Sequence, residues 1–288
     1  MNQLPTEKRA QVIRSLVEGN SIRSTVRMTG VAKNTIVKLL CDIGKACSRF
    51  QAVNLVGLDS MVVQADEIWS FVGCKEKRVT PDKKAVGMGD AWTWVAIDAD
   101  SKLVITWHVG LRTEDDCKDF IDDLASRLNK RIQLSTDGFG TYKTAVKLAF
   151  GKDVDYGVIV KLFGTDPYAE GAHRYSPAVC TSCKTKAVIG DPLESQISTS
   201  YVERQNLTMR MGMRRFTRLT NAFSKKIENH EYQIALHFMY VNYCRPHQSL
   251  RLQDEKGKQG INRSPAMAAK LTDHIWSIEE MIESVISN

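Results

Sequence analysis

Apolar positions recur at helical spacing through the first fifty residues. One such stripe stops before Gly19 and contains Val12, Ile13, Leu16 and Val17. It predicts a first helix, because apolar residues three to four positions apart lie on one helical face. A short second helix over roughly 21–28, a turn at 29–31 and a third helix follow. This order predicts a small all-α helix-turn-helix domain over residues 1–50.

The third predicted helix begins with polar and basic residues. In a helix-turn-helix, the first residues of the last helix enter the DNA major groove, where lysine and asparagine can donate hydrogen bonds to bases or phosphates. The residues at that position are Lys33, Asn34, Thr35 and Lys38. They are the predicted DNA contacts of this domain. The alternative is a small helical bundle used for packing or dimerisation.

After a linker predicted at 51–60, the pattern changes to that of β-strands. Three apolar runs are predicted as strands, and the last two as a hairpin: 61–72, 92–98 and 103–109. A helix follows with a capping-box start at Thr113, and strands then alternate with helices over 132–162. The order β-β-β-α-β-α-β predicts an α/β fold class, a mixed sheet with flanking helices.

Residues 164–199 interrupt this alternation. The segment is rich in Gly, Pro, Ser and Thr and contains Cys180 and Cys183, which predicts an insertion or a long functional loop. The two cysteines would need two further ligands, such as His173, to bind zinc. We favour a pair without zinc.

Helices return after this segment. One is predicted to start near Tyr201 and another to cover about 223–243. They close a predicted catalytic domain over 61–270, and residues 271–288 are predicted to form a C-terminal helix.

Composition narrows the choice of partner and compartment. The 288 residues are 43% hydrophobic and carry a net charge of +7, which favours a polyanionic partner such as nucleic acid. No apolar run approaches the ~20 residues that cross a bilayer, so we expect a cytoplasmic protein without membrane contact. Seven scattered cysteines do not match a secreted disulfide framework, and reduced thiols are expected.

Three carboxylates stand at positions that suit metal-dependent phosphodiester chemistry. Asp66 lies in the middle of the first strand, Asp137 ends a later strand, and Glu203 lies in the first turn of the helix near Tyr201. Mg²⁺ prefers oxygen ligands, and two ions about 4 Å apart can activate the attacking hydroxyl and neutralise the leaving oxygen. Mg²⁺ or Mn²⁺, two ions per site, is the expected cofactor.

Each carboxylate also has a structural interpretation. Glu203 could close a capping box with Ser200, and Asp137 could be a turn residue. Asp66 and Glu67 could form a solvated strand edge. Because strand alternation directs neighbouring side chains to opposite faces, only one of Asp66 and Glu67 is expected to point into a site.

Three ordered motifs, 66–73, 135–139 with Tyr142, and 201–206, resemble the DDE transposases of IS1-like insertion sequences. Residues 245–250 are similar to the segment that follows the catalytic glutamate helix in related transposases and retroviral-type integrases. The resemblance covers about 61–270. It implies an RNase H-like fold, the metal-binding triad Asp66, Asp137 and Glu203, and a phosphate contact from Arg210, seven positions after the glutamate.

A one-sided run of basic residues follows that glutamate. No acidic residue interrupts Arg204, Arg210, Arg214, Arg215, Arg218, Lys225 and Lys226. Such a run is typical of a phosphate-tracking surface, and the further predicted DNA contacts are Arg204, Arg214, Arg215 and Arg218. A basic helix facing solvent is the alternative. Four strand tryptophans are interpreted as core or sheet-face residues and not as base-stacking platforms: Trp69, Trp92, Trp94 and Trp107.

The sequence therefore predicts a DNA transposase. It would bind insertion-sequence ends and catalyse metal-dependent strand cleavage and strand transfer on double-stranded element ends and target DNA, as a homo-oligomer on DNA in the prokaryotic cytoplasm, associated with the nucleoid. One alternative is a DNA-binding regulator or domesticated protein with an inactive RNase H-like domain. Another is a plain nuclease of the same fold.

Overall fold

The structure is a computed structural model that describes residues 4–164, 179–217, 221–253 and 260–287. Arg218 and His173 lie outside the described residues. No helix within these ranges is long and apolar enough to cross a membrane.

Three helices open the chain in the predicted order: α1 (Thr6–Val17), α2 (Ile22–Thr29) and α3 (Lys33–Asn54). The Ser21 side chain caps α2 by accepting from the Ser24 amide, and Gly30 ends it with a left-handed φ of +70°, a conformation that glycine adopts without strain. Because α3 continues to Asn54, the first four residues of the predicted linker are helical. The helix-turn-helix assignment itself stays a prediction.

Six strands form one mixed sheet. They are β1 (Val62–Val72), β2 (Gly89–Asp98), β3 (Val104–Gly110), β4 (Ile132–Asp137), β5 (Val154–Gly164) and β6 (Val179–Ile189), with a short helix α4 (Pro81–Ala85) between β1 and β2. The spatial order is β3-β2-β1-β4-β5-β6. The first three strands are antiparallel neighbours, β4 is parallel to β1 and β5, and β6 is antiparallel to β5.

The remaining helices flank this sheet. They are α5 (Glu114–Ser126), α6 (Thr141–Phe150), α7 (Ser200–Gly212), α8 (Ile227–Met239), α9 (Pro265–Ala268) and α10 (Ile278–Ser287). A π-helical turn, Tyr240–Cys244, continues α8. The predicted fold class, an α/β mixed sheet with flanking helices, is confirmed.

The segment 164–199 differs from the expected insertion or loop, because β6 lies within it and extends the sheet. The pairing of β6 with β5 shifts register between Leu162 and Phe163, which leaves Thr181 without a partner in the ladder. This bulge interrupts the period-two alternation by which a strand is recognised. The domain boundaries drawn from the sequence stay predictions.

The amino-terminal helices share a core with the sheet. Ile36, Leu40 and Ile43 of α3 belong to the same buried cluster as Val63 of β1 and Leu134 of β4. Helices α3 and α8 approach so closely that a Cβ on Gly44 would lie 2.4 Å from the Tyr232 carbonyl oxygen. The helices before the sheet are therefore part of its support.

Candidate active site

The strand register brings Asp66 and Asp137 together. Val62, Val63 and Gln64 of β1 pair with the β4 residues 71 positions later, and Asp137 follows Asp66 by the same 71 positions. Paired residues on parallel strands direct their side chains to the same face. Asp137 is the last residue of β4, and one of its carboxylate oxygens accepts from the Phe139 amide at 2.9 Å. Asp137 can thus stabilise the turn after β4 with one carboxylate oxygen and still belong to the site.

Glu67 joins this pair. Single ligand atoms of Asp66, Glu67 and Asp137 all lie within 4.8 Å of one another, so the expectation that only one of Asp66 and Glu67 reaches the site is wrong. The position on β4 opposite Glu67 falls on Gly138, which follows the end of that strand and has no side chain. At this open edge, a glutamate from the other face can approach the aspartates.

Glu67 is held by partners from two other elements. Arg112, in the turn before α5, donates to Glu67 Oε1 from Nε at 2.7 Å and from a terminal nitrogen at 2.6 Å. The Tyr142 hydroxyl of α6 donates to Oε2 at 3.0 Å. Burial and the nearby Asp137 raise the pKa of Glu67, which Arg112 and Tyr142 oppose. Charge-assisted bonds of this kind fix a carboxylate in position.

Asp66 lies where a negative charge is unfavourable. Burial, followed by the like charges of Glu67, Asp137 and Glu203, raises its pKa from 3.8 to about 7. Asn206 Nδ2 donates to Asp66 Oδ2 at 2.8 Å, while the buried Asn206 Oδ1 has no hydrogen-bond partner among the described residues. A cation would relieve the repulsion among these groups.

Glu203 lies near this group but outside it. It is in the first turn of α7, where Lys161 of β5 forms an ion pair with it and the Thr199 hydroxyl donates to it. Because α7 begins at Ser200 with Thr199 as its N-cap, the Ser200–Glu203 spacing is not that of a capping box. Among the described residues, the carboxylates that could share one ion are therefore Asp66, Glu67 and Asp137.

The predicted basic contacts differ in their orientation. Arg204 and Arg214 are exposed, and Arg210 is half-buried near the end of α7. The guanidinium of Arg215 donates inward to Ser224 Oγ at 2.6 Å, and burial lowers its pKa to about 10. We therefore leave Arg215 out of the proposed DNA surface, because a guanidinium directed inward cannot reach phosphate without losing this contact.

The predicted contacts of the amino-terminal helices all lie in the first turns of α3 and are exposed: Lys33, Asn34, Thr35 and Lys38. Lys38 forms an ion pair with Asp42, one turn further along the same helix. Exposed pairs of this kind stabilise little and exchange readily. Their charges are accessible to a polyanion.

The two cysteines of the segment 164–199 are exposed neighbours. Their sulfur atoms are 3.6 Å apart. In a regular strand, residues three apart point to opposite faces, and the unpaired Thr181 between them removes that offset. Cys183 pairs with Lys161, the partner of Glu203, across the β5–β6 ladder.

No protein-family model matches the chain. Insertion element iso-IS1n protein InsB from Shigella dysenteriae is 25% identical to it over 172 residues, which are 60% of this chain and 89% of that protein. The resemblance to the transposases of IS1-like insertion sequences is confirmed. The piggyBac transposase synaptic complex with hairpin DNA aligns with 99% of this chain and 71% of its own at 9% identity, with a TM-score of 0.43.

Two residues around the cluster lie within the motifs that carry the resemblance, although no role was predicted for them: Tyr142 and Asn206. Asn206 also follows Glu203 by three positions, and residues so spaced lie on one side of a helix. Arg112 and Lys161 lie outside those motifs and approach from separate elements. No local pattern marks these two residues.

Proposed function

We propose that the chain is an insertion-sequence transposase that binds the ends of its element and catalyses metal-dependent strand cleavage and strand transfer. The observation that carries the proposal is the group of three carboxylates within 4.8 Å of one another, at the end of β4 and beside α7. The similarity to a protein of an insertion element supports the same function. Glu203, one turn before Asn206, would complete the triad with Asp66 and Asp137.

The donor set matches a hard divalent cation such as Mg²⁺ or Mn²⁺. Carboxylate oxygens are the ligands that these ions prefer, and a cation would offset both the burial and the like charges that raise the pKa of Asp66. Asn206 Oδ1, which accepts no hydrogen bond within the part of the chain that the structure describes, is a further oxygen beside Asp66. Asp66 and Asp137 would hold the ions, with Glu203 completing a second site. Bound there, two ions would activate the attacking hydroxyl and neutralise the leaving oxygen.

Neighbouring side chains would orient the carboxylates and balance their charge before metal binds. Asn206 orients Asp66 from α7. Arg112 neutralises Glu67, so that the extra carboxylate does not add its full charge to the site. Lys161 pairs with Glu203 from the other side, and this partly exposed pair would open when the carboxylate takes up a ligand role. Arg210 would position a phosphate near the cluster.

The DNA-binding surface would have two parts. The exposed start of α3 would recognise element ends as the last helix of a helix-turn-helix, and Arg204 and Arg214 would contact phosphates near the carboxylates. Cleavage and joining of two ends requires two active sites, so we infer a homo-oligomer assembled on DNA.

The test is an assay with labelled double-stranded DNA that carries the element's ends, with Mg²⁺ or Mn²⁺ and with EDTA. Wild-type protein should give nicked and joined products only with metal. Asp137→Asn should lose both products while it keeps its affinity for the ends. Asp155→Asn is the matched control, because Asp155 is a carboxylate on the neighbouring strand β5 that binds Arg131 and lies away from the cluster.

Each outcome decides between the candidate functions. Metal-dependent joined product in wild type and Asp155→Asn, absent in Asp137→Asn, supports the transposase. Cleavage without joining favours a plain nuclease. Specific binding of the ends without any product favours a DNA-binding regulator, and activity retained by Asp137→Asn refutes the proposed carboxylate site.

A further inference from the structure

A row of aromatic side chains begins beside the carboxylate cluster. Trp69 and Phe71 follow Glu67 by two and four positions on β1, and alternation directs all three to one face of the sheet. Trp92 of β2 is the direct cross-strand partner of Trp69. All three rings are half-buried, whereas Trp94 on the same strand as Trp92 is fully buried.

A fourth ring extends this row beyond the end of β4. Ser224 forms a parallel bridge with Val72, and its carbonyl oxygen accepts from the Gly73 amide at 2.7 Å. This short pairing places Phe223 beside Phe71, with ring centroids 4.8 Å apart. The centroids of Phe71 and Trp69 are 5.7 Å apart. Together the four rings form an aromatic row: Trp92, Trp69, Phe71 and Phe223.

Cations lie along the aromatic row. Lys75 Nζ is 5.6 Å from the centre of the Trp69 ring, and Lys225 Nζ is 3.6 Å from that of Phe223. Both lysines are exposed. Arg112, which binds Glu67, lies 5.0 Å from the centre of the Trp92 ring. The row is thus continuous with the candidate active site through Arg112, whose charge is paired with Glu67, and exposed positive charge lies along it at Lys75 and Lys225.

We propose that the aromatic row binds unpaired bases of the DNA strand on which the active site acts. Aromatic side chains interleaved with cations are the means by which proteins hold single strands, since every base has a face that stacks and every nucleotide a phosphate. A regular duplex does not fit this chemistry, because its base faces are already stacked on one another. The inference rests on the proposed function, which brings a strand to the carboxylates.

Ring spacing determines where a base binds. A base inserted between two rings would need about 6.8 Å, twice the 3.4 Å rise between stacked bases, and the measured separations of 5.7 and 4.8 Å are shorter. Bases therefore do not enter the spaces between Trp69, Phe71 and Phe223 but stack on the ring faces that Lys75 and Lys225 cover. An exposed cation–π contact is weaker than base stacking, so each lysine moves from its ring to a phosphate as the base arrives.

The experiment compares two fluorescent single strands of equal length in EDTA, with the full-length protein. One is an oligothymidine, and the other has the same phosphates but abasic sites in place of the bases. Wild type should bind the strand with bases more tightly, by about fivefold to a hundredfold, the range for one stacked base. In Trp69→Leu and Phe223→Leu that preference should disappear, while affinity for the abasic strand changes less than about twofold.

Trp107→Leu is the matched control. Trp107 is also a half-buried strand tryptophan, but it pairs with Val95, the partner of Asp66, and packs on Phe238 on the opposite face of the sheet. It should keep the preference for bases. Equal binding of the two strands by wild type, or an undiminished preference in both variants of the row, overturns the proposal. If Trp69→Leu forms smaller oligomers but keeps its preference for the strand with bases, the row is a contact between protein copies, and the proposal is also overturned.

The result is separable from the proposed function, because no bond is cut in EDTA. If Trp69→Leu loses the preference for bases but wild type never joins DNA ends, the proposal for the aromatic row stands and the transposase is rejected. If wild type joins DNA ends but both variants keep the full preference, the transposase stands and the proposal for the aromatic row is rejected.

Discussion

Replacement of Asp66 by asparagine should stabilise the metal-free protein. The side chain is deep in the site, and burial together with the charges of Glu67, Asp137 and Glu203 raises its pKa from 3.8 to about 7. Asparagine keeps an oxygen that can accept from Asn206 and removes the charge. Residues selected for chemistry often lower stability in this way.

The magnitude follows from linkage. The folded-state pKa lies above the unfolded value, so at a pH above 7 the charge on Asp66 destabilises the fold in full, and this penalty declines progressively as the pH falls from about 7 to 3.8. The difference between about 7 and 3.8 is about 3.2 pH units, which at 1.36 kcal/mol per unit sets an upper limit of about 4 kcal/mol. Since the site can relax, we expect Asp66→Asn to raise the free energy of unfolding at about pH 8 by about 2 kcal/mol.

The assay is urea unfolding followed by circular dichroism in EDTA, with the denaturant slope compared between variants. Asp155→Asn is the control of opposite sign, because Arg131 lowers the pKa of Asp155 to about 2 and loss of that charge should destabilise. Added Mn²⁺ should then raise the unfolding midpoint of wild type more than that of Asp66→Asn. If Asp66→Asn unfolds at lower urea than wild type while Asp155→Asn behaves as expected, the electrostatic reasoning is refuted.

Three further predictions concern other parts of the molecule. Gly44→Ala should lower the free energy of unfolding by about 1–3 kcal/mol in urea unfolding, because its Cβ would meet the Tyr232 backbone; an unchanged midpoint would contradict the close packing of α3 on α8. Burial lowers the pKa of His237 from 6.5 to about 3, so its contribution to stability is lost as the pH falls through that window. Between about pH 7 and pH 5 the loss should be about 2 kcal/mol, and the same titration of His237→Leu should show a drop smaller by that amount. Lys33→Ala with Lys38→Ala should weaken binding of duplex DNA and reduce the slope of log affinity against log salt by about 2, one for each phosphate contact; an unchanged slope would remove α3 from the DNA surface.

The neighbouring aspartates, Asp66 and Asp137, show what the sequence could and could not predict. Their motifs placed Asp66 within one strand and Asp137 at the end of another, and parallel pairing with a constant offset of 71 made them neighbours. Glu67 was misjudged because alternation describes the interior of a sheet, and β4 ends beside it. Tyr142 lies in one of the motifs, but its contact with Glu67, like that of Arg112, comes from tertiary packing of separate elements, which no local pattern indicates.

Two boundary errors have local causes. Strand β6 was interpreted as part of a loop because the segment 164–199 around it is rich in Gly, Pro, Ser and Thr and the unpaired Thr181 interrupts its alternation. Its partner β5 supplies the pairing that composition could not indicate. Helix α3 was ended too early, although no glycine or proline occurs between Phe50 and Val56. A helix continues until a residue stops it or its buried face ends, and Leu55 at the end of α3 is still fully buried.

The close contact between α3 and α8 bears on how recognition and chemistry would cooperate. The residues proposed to recognise DNA lie at the start of α3, while Gly44 in the middle of the same helix packs on Tyr232 of α8. Helix α8 in turn supports β1 through buried His230, whose ring nitrogens bond Ser70 Oγ at 3.0 Å and Ser224 Oγ at 2.9 Å. The start of α3 and the carboxylates thus belong to one packed unit, which would fix DNA bound at α3 relative to the carboxylates. Removal of the amino-terminal helices would expose that core and abolish cleavage together with end recognition, so only point substitutions on the exposed face of α3 can separate the two.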